Sequence, residues 1–299
     1  MTLTIAELYS QGQAQGKPLI SCEVFPPNTA GDLQDIYWAL GHIASLQPAY
    51  ISVTYGAGGG GNTGLTAQIS SAIEAHQLPS LAHLVCVGAT KDGLAQTIEE
   101  MKAQGIRNIL ALRGDLAPGV TTTGGPYQHA EDLICELRRQ QVASIGAACY
   151  PEGHIECDNL DLDTQVLVRK QEAGAHFAIS QLFFDNSYFY QMLDRVRPAG
   201  VSIPISAGLM PIVSQQQISR MIFMCGVSLP SSIIRLLHKY QGDAASLRAA
   251  GIDHAVSQAA DLLAQGVDGI HLYTMNKPDI AQAIMSSLST SPSPSRLST

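Results

Sequence analysis

The sequence predicts a single-domain α/β protein, a (β/α)8 TIM barrel, and three observations carry that prediction. Short apolar runs alternate with segments of helical hydrophobic spacing, roughly one pair per 30 residues, as parallel strand–helix units require. Eight such pairs fit within 299 residues, and eight units imply closure into a barrel. The first apolar run ends in Glu23-Val-Phe-Pro-Pro27. A doubly wound open sheet would place a Gly-x-Gly-x-x-Gly turn there.

The elements follow in order. Residues 4–15 read as a leading helix. Strand 18–24 is closed by Pro26 and Pro27, which cannot continue a ladder. Helix 32–46 carries Leu33, Ile36, Leu40 and Ile43 on one face. Strand 49–54, a glycine-rich loop 56–61 and helix 65–76 complete the second unit. Strand 80–86 and helix 91–104, stopped at Gly105, form the third. Strand 108–112 runs into a loop, 114–127, rich in Gly, Pro and Thr. Helix 129–141 and strand 143–149 lead to a polar loop, 150–160. Helix 161–173, strand 177–184, helix 187–197, strand 203–208 and helix 214–225 follow. An extra helix, 230–240, precedes the long helix 244–265 and is the insertion before the last barrel helix. Strand 269–273 and helix 279–288 close the domain. No boundary interrupts residues 1–288. The Ser/Pro-rich segment 289–299 is low-complexity and expected to be a disordered tail.

Composition excludes several classes. A chain this long, 45% hydrophobic and 14% charged, buries a core without disulfides or structural metal. The net charge is −8 and no basic stripe occurs, so nucleic acid is not an expected partner. No apolar run approaches the ~20 residues of a membrane span, and the N-terminus lacks the features of a secretory signal. The six cysteines form no Cys-x-x-Cys pair, which suits a reducing compartment; the expected localisation is cytoplasmic. Histidines and carboxylates show no ligand spacing, so no metal site is expected. No Gly-Lys-Ser/Thr follows Gly58–Gly61, and no serine sits in an elbow motif, which argues against a P-loop and a serine hydrolase.

Active sites of such barrels lie at the C-terminal ends of the strands. Read there, the chain presents Glu23, Thr54, His83, Arg113, Asp115, Tyr150, His154, Gln181, the run 207–211, and Tyr273. Arg113-Gly114-Asp115 ends an apolar strand on two opposite charges around a glycine, which lets backbone approach a ligand. One polar residue at a strand end is ordinary capping; a polar residue in nearly every unit points to a site. Glu23, flanked by Val24, Phe25 and two prolines, is expected to be desolvated, with a raised pKa that suits a general acid. The alternative is a surface glutamate before a turn. Asp115 either tunes a polar ligand ring or pairs with Arg113. By spacing alone His83 reads as a core histidine. Tyr150 and His154 suit a planar ligand or plain turn chemistry. Asp163 and Lys170, seven apart on one helix, share a face that is either functional or merely solvated. Gln181, within an otherwise apolar strand, is a buried amide in need of partners.

These segments together resemble methylenetetrahydrofolate reductase in its short bacterial form. The resemblance runs from about residue 17 to 288. It rests on Ser21-Cys-Glu-Val-Phe-Pro-Pro27, Ile51-Ser-Val-Thr-Tyr-Gly-Ala57, Ala82-His-Leu84, Asn108-Ile-Leu-Ala-Leu-Arg-Gly-Asp115 and Tyr150-Pro-Glu-Gly-His154. Lys170 with Glu172-Ala-Gly-Ala175, Gln181-Leu-Phe-Phe-Asp185 and His271-Leu-Tyr-Thr-Met-Asn276 complete the ordered set.

The resemblance implies an FAD-binding barrel that takes hydride from NADH or NADPH and then reduces 5,10-methylenetetrahydrofolate to 5-methyltetrahydrofolate. In it Glu23 matches the general acid, which protonates the folate so that its bridging carbon opens to an iminium. Asp115 matches the aspartate that tunes flavin and pterin. Thr54, His83, Arg113, Gly114, Asp115, Tyr150, His154, Asp163 and Lys170 match cofactor contacts. Gln181, Tyr273 and Lys277 match substrate contacts. It further implies a homo-oligomer, a place in one-carbon metabolism such as methionine biosynthesis, and no inhibition by S-adenosylmethionine. Departures stand at Lys277, where some members have arginine, at Ile222, where an aromatic is expected, and in the glycine-rich loop 58–64. Two other readings are a Schiff-base aldolase-type barrel using Lys170 and a flavin-free, non-catalytic relative. Lys170 falls on a helix and not at a strand end, which disfavours the first.

Overall fold

The computed structural model describes residues 2–27, 33–55, 63–116, 119–120 and 122–289. The glycine-rich loop and the tail beyond 289 lie outside the described residues. The chain begins with α1 (Ile5–Gln15), β1 (Leu19–Val24), α2 (Leu33–Ser45), β2 (Ile51–Val53), α3 (Thr63–Ala75) and β3 (Ser80–Val85). It continues through α4 (Lys91–Ala103), β4 (Asn108–Leu112), α5 (Ala130–Arg139), β5 (Ser144–Cys149), α6 (Leu160–Ala173) and β6 (Phe177–Ser180). Then come α7 (Asn186–Val196), β7 (Ile205–Leu209), α8 (Gln215–Cys225), α9 (Ser231–Lys239), α10 (Ala244–Ala264), β8 (Gly269–Tyr273) and α11 (Pro278–Ser289). The strands close in chain order, β1 to β8, and β1 pairs with β8; every pairing is parallel. The (β/α)8 barrel, the leading helix and the inserted helix α9 are all present.

The register decides what meets what. Glu23 stands opposite Ser52 on one side and Tyr273 on the other, and Ser21 stands opposite His271. Because alternate residues of a strand share a face, Ser21 with Glu23 and His271 with Tyr273 point the same way, into the barrel. The interior has two zones. Its N-terminal end is filled by Leu81, Leu110, Phe177 and Ile179 and capped by Ile5 and Tyr9 of α1. The Tyr9 hydroxyl is 2.6 Å from Ser206 Oγ and 3.2 Å from the Tyr50 hydroxyl. Helix α1 is set for that role by a Thr4–Glu7 capping box at its start. The larger apolar cores lie outside the barrel, between the strands and their helices.

Several strand ends differ from the sequence reading; β2 spans Ile51–Val53 rather than 49–54, and the differences at β7 and β6 have a direct physical cause. β7 starts at Ile205 rather than 203, because Pro204 has no N–H to pair. β6 was expected over 177–184 and ends at Ser180. The following apolar residues leave the ladder: Leu182 and Phe184 pack with Met210 and Ile212, and Phe183 stacks on Phe189 of α7. Gln181 is therefore not a strand residue. Its side-chain oxygen accepts from the Leu182 N–H at 2.9 Å and turns the chain out of the sheet.

Candidate functional site

At the C-terminal end of the interior, three strands converge on Glu23. Its Oε2 accepts from Ser52 Oγ at 3.2 Å and lies 3.4 Å from Nε2 of His271 and 3.5 Å from Nε2 of His83. The Glu23 side chain is 15% exposed, so it is the one member of the group that meets the barrel mouth; the two histidine side chains are 8% and 1% exposed. His271 is held at its other nitrogen by Ser21 Oγ, 2.8 Å away. The Thr274 hydroxyl donates to the Glu23 carbonyl at 2.6 Å and anchors the strand end.

The electrostatics correct one expectation. Burial does push the Glu23 carboxyl up. The hydrogen bond with His271, the pull of His83 and His271, and the Ser52 hydroxyl outweigh it, so Glu23 lies below the ordinary carboxylate range. The flanking apolar residues were visible in the sequence; the polar partners arriving from β2, β3 and β8 were not. His83 shows the opposite balance. Burial holds it down to about 4, against a smaller upward pull from Glu23, so it is neutral at physiological pH. Its Nε2 is buried and has no hydrogen-bond partner. Glu23 Oε2, 3.5 Å away, is the polar atom it faces.

A second group lies to one side, in a cleft of about 270 Å³ that includes Arg113, His129, Tyr150, His154, Asp163 and Lys170. Tyr150 and His154 meet edge to face, with centroids 4.7 Å apart. Lys170 reaches up from α6, buried, and donates to the Ala148 carbonyl at 2.8 Å; its Nζ sits 5.5 Å from the centre of the Tyr150 ring. Burial lowers the Lys170 pKa and raises those of Asp163 and Tyr150. Asp163 Oδ1 accepts from the His154 N–H at 3.3 Å. The shared face of Asp163 and Lys170 is thus turned toward the cleft and not toward bulk solvent. Arg113 does not pair with Asp115. Its guanidinium forks onto Glu156 at 2.6 and 2.9 Å, and Asp115 is exposed. Gly114 adopts φ +90°, and a Cβ there would come within 2.6 Å of Val87, so the turn between Arg113 and Asp115 accepts glycine alone.

The remaining candidates sit around these two groups. Thr54 follows β2, and its N–H donates to the Val24 carbonyl at 3.1 Å. Gln181 is half-buried beyond β6. The Tyr273 hydroxyl donates to the Ser180 carbonyl at 2.8 Å, so the ring lies across the end of β6. It passes over Gly208, where a Cβ would be 2.3 Å from the Ser180 carbonyl oxygen and 2.8 Å from the Tyr273 ring. Lys277 is exposed, beyond the end of β8. Ile222 is half-buried on α8, beside an 84%-exposed Phe223. Sequence reasoning missed Ser21, Ser52, Glu156 and His271. The available signal was polar residues inside apolar strands: Ser21 shares its face with Glu23, and His271 with Tyr273.

A larger hollow, about 620 Å³, opens at the opposite end near Glu74, Lys102 and Arg107. It lies far from every strand C-terminus and holds no buried ionisable cluster. Among the described residues no group of three or more His, Cys, Asp or Glu could hold a metal ion, and no helix is long and apolar enough to cross a membrane.

Comparison with known proteins bears on this end of the barrel. The family model for methylenetetrahydrofolate reductase matches residues 8–289. The 5,10-methylenetetrahydrofolate reductase of Salmonella typhimurium is 34% identical over 283 residues, covering 95% of each chain. That of Escherichia coli is 33% identical over the same span and coverage. Among solved structures, a protein from Clostridium thermocellum described as binding two copies of 5-methyl-5,6,7,8-tetrahydrofolic acid shares the fold. Its TM-score is 0.64 at 16% identity, over 94% of this chain and 97% of that one.

Proposed function

The chain belongs to the methylenetetrahydrofolate reductase family, and we propose on that premise that it reduces 5,10-methylenetetrahydrofolate to 5-methyltetrahydrofolate with NADH or NADPH, in a ping-pong sequence with FAD bound at the strand-end face. The observation that carries the reading is the Glu23 cluster, a largely enclosed carboxylate at the barrel mouth met by Ser52, His83 and His271. When bound, the flavin relays hydride from the nicotinamide to the folate, chemistry that no side chain here supplies.

The residues present fit that cofactor. His83, beside Glu23, is the residue this reading sets near the isoalloxazine edge. Gly114 admits close backbone approach, with Thr54 and Asp115 on the neighbouring loops. Arg113 offers a fork to the diphosphate, and Tyr150, His154, Asp163 and Lys170 line the cleft that would take the rest. Gln181, Tyr273 and Lys277 are the folate contacts in this reading, with Asp115 tuning both rings.

Glu23 acts as the general acid. Its carboxylate in the open site is held low by hydrogen bonds, and a ring laid over the mouth removes the remaining water and drives the carboxyl up toward its protonated form. The enzyme so described is cytoplasmic and self-associating.

Two measurements test the reading. Purified protein should take up FAD and absorb near 450 nm, as flavins generally do; a chain that binds no flavin overturns it. Glu23→Gln should slow folate reduction by roughly 10²- to 10⁴-fold while the nicotinamide still reduces the flavin. Equal loss of both half-reactions removes Glu23 from the acid role.

A further inference from the structure

The two histidines beside Glu23 are not equivalent. His83 Nε2 makes no hydrogen bond and lies 3.5 Å from Glu23 Oε2. His271 is engaged at both nitrogens: Nδ1 with Ser21 Oγ at 2.8 Å, Nε2 with Glu23 Oε2 at 3.4 Å and Ser52 Oγ at 3.3 Å. Its ring is also wedged, stacked at 21° on Tyr50 and edge-on to Tyr273 at 5.3 Å. It is fully buried and reaches the mouth only through Glu23. Such a residue does not meet substrate; what it can do is orient the group that does.

We propose that His271, steered by Ser21, is the positioning residue that supports Glu23 in both of its protonation states by exchanging donor and acceptor roles. The inference rests on the reading of Glu23 as proton donor. In the ionised state the His271 Nε2–H donates to Glu23 Oε2, and the Ser21 hydroxyl donates to Nδ1. In the protonated state the Glu23 O–H donates to Nε2. The ring proton then sits on Nδ1 and donates to Ser21 Oγ. The Ser21 hydroxyl turns to the Ile270 carbonyl, already 3.3 Å away. The difference between the states is one proton, gained at the carboxyl and given up to the folate; the ring carries one proton in each. Ser52 donates to Glu23 in the first state and makes the cluster asymmetric.

The groups that face Glu23 are His271 and Tyr273 from β8, Ser52 from β2, His83 from β3 and, more distantly, Tyr50 before β2. The hydrogen bond from His271 is the largest of the effects that favour the carboxylate. Removing it therefore favours the carboxylic acid, and the decline of folate reduction at high pH should move to higher pH.

The test follows reoxidation of the flavin in the FAD-loaded full chain by methylenetetrahydrofolate, as a function of pH. His271→Phe should move the high-pH limb up by about one unit, the scale of one lost charge-assisted hydrogen bond. His271→Gln, whose amide presents either a donor or an acceptor, should return the limb toward wild type. Ser21→Ala should move it in the same direction by less, and it carries the test if His271→Phe does not fold. A slower reaction with an unmoved limb in either variant means that His271 only packs, and overturns the inference. Glu23→Gln, run in parallel, separates the two ideas: folate reduction that survives it breaks the acid assignment itself.

Discussion

Glu23 and Arg113 both stand at the C-terminal ends of barrel strands, yet their partners differ in kind. Glu23 is enclosed by residues of other strands: Ser52 and His271 are buried and hydrogen-bonded in turn, and His83 is buried beside them. Arg113 reaches outward to Glu156, half-exposed on the loop between β5 and α6. Fixed dipoles in a dry interior act strongly on a carboxyl group, because little water is there to screen them. A solvated ion pair holds little and is easily exchanged for another anion. One region holds its groups in fixed positions, the other holds its ion pair loosely.

The sharpest way to break the enclosed region is at Gly208. A methyl there meets the Ser180 carbonyl at 2.3 Å and the Tyr273 ring, so Gly208→Ala must displace β6 or the tyrosine. The expected loss is about 3 kcal/mol, the upper range for overpacking, read as a lower melting temperature. Gly41→Ala, in open space on α2, is the control and should melt at or above wild type.

A comparable effect comes from acid. His83 is folded in its neutral form with a pKa of about 4, and in the unfolded chain it titrates near 6.5. Between those values the unfolded state binds more protons, so stability falls as pH drops through that window. Glu23, lowered in the fold, has the same sign, with its share lost below the ordinary carboxylate range. The loss from His83 is on the order of 3 kcal/mol, and His83→Asn should flatten the fall between pH 6.5 and 4 in a pH series of urea melts.

The smallest effect belongs to the outer region. Glu156→Gln leaves Arg113 unpaired at a surface, which changes stability by less than about 1 kcal/mol. It also removes the anion that a diphosphate would displace. FAD should then bind up to ~5-fold tighter in a titration at low salt, with the gain shrinking as salt rises. Weaker binding would mean that the pair organises the cleft instead of competing for it.

The contrast also explains what could be read in advance. Strand–helix alternation is local, so all eight barrel units were legible, with most ends off by no more than two residues. β6 was overextended because Leu182, Phe183 and Phe184 are as apolar as a strand and are buried against helices instead. Arg113-Gly114-Asp115 was legible as a strand end emerging at a surface because charges and a glycine interrupt an apolar run. Its pairing was not, since Glu156 returns from 43 residues away. Glu23 was legible as an unusual carboxylate, but the direction of its pKa was not. The apolar neighbours that raise it adjoin it in sequence, whereas the groups that lower it come from Ser52, His83 and His271. His271 itself looks like one polar residue in a buried strand until the register sets it beside Ser21.

Glu23 and His271 are separated by 248 positions and meet only because β8 pairs with β1. During synthesis the first strand exists while the last is still to be made. A chain arrested anywhere before residue 269 has its carboxylate without the partner that holds it. The Glu23–His271 pair therefore forms only when β8 docks beside β1, and its formation reports that the ring of strands has closed.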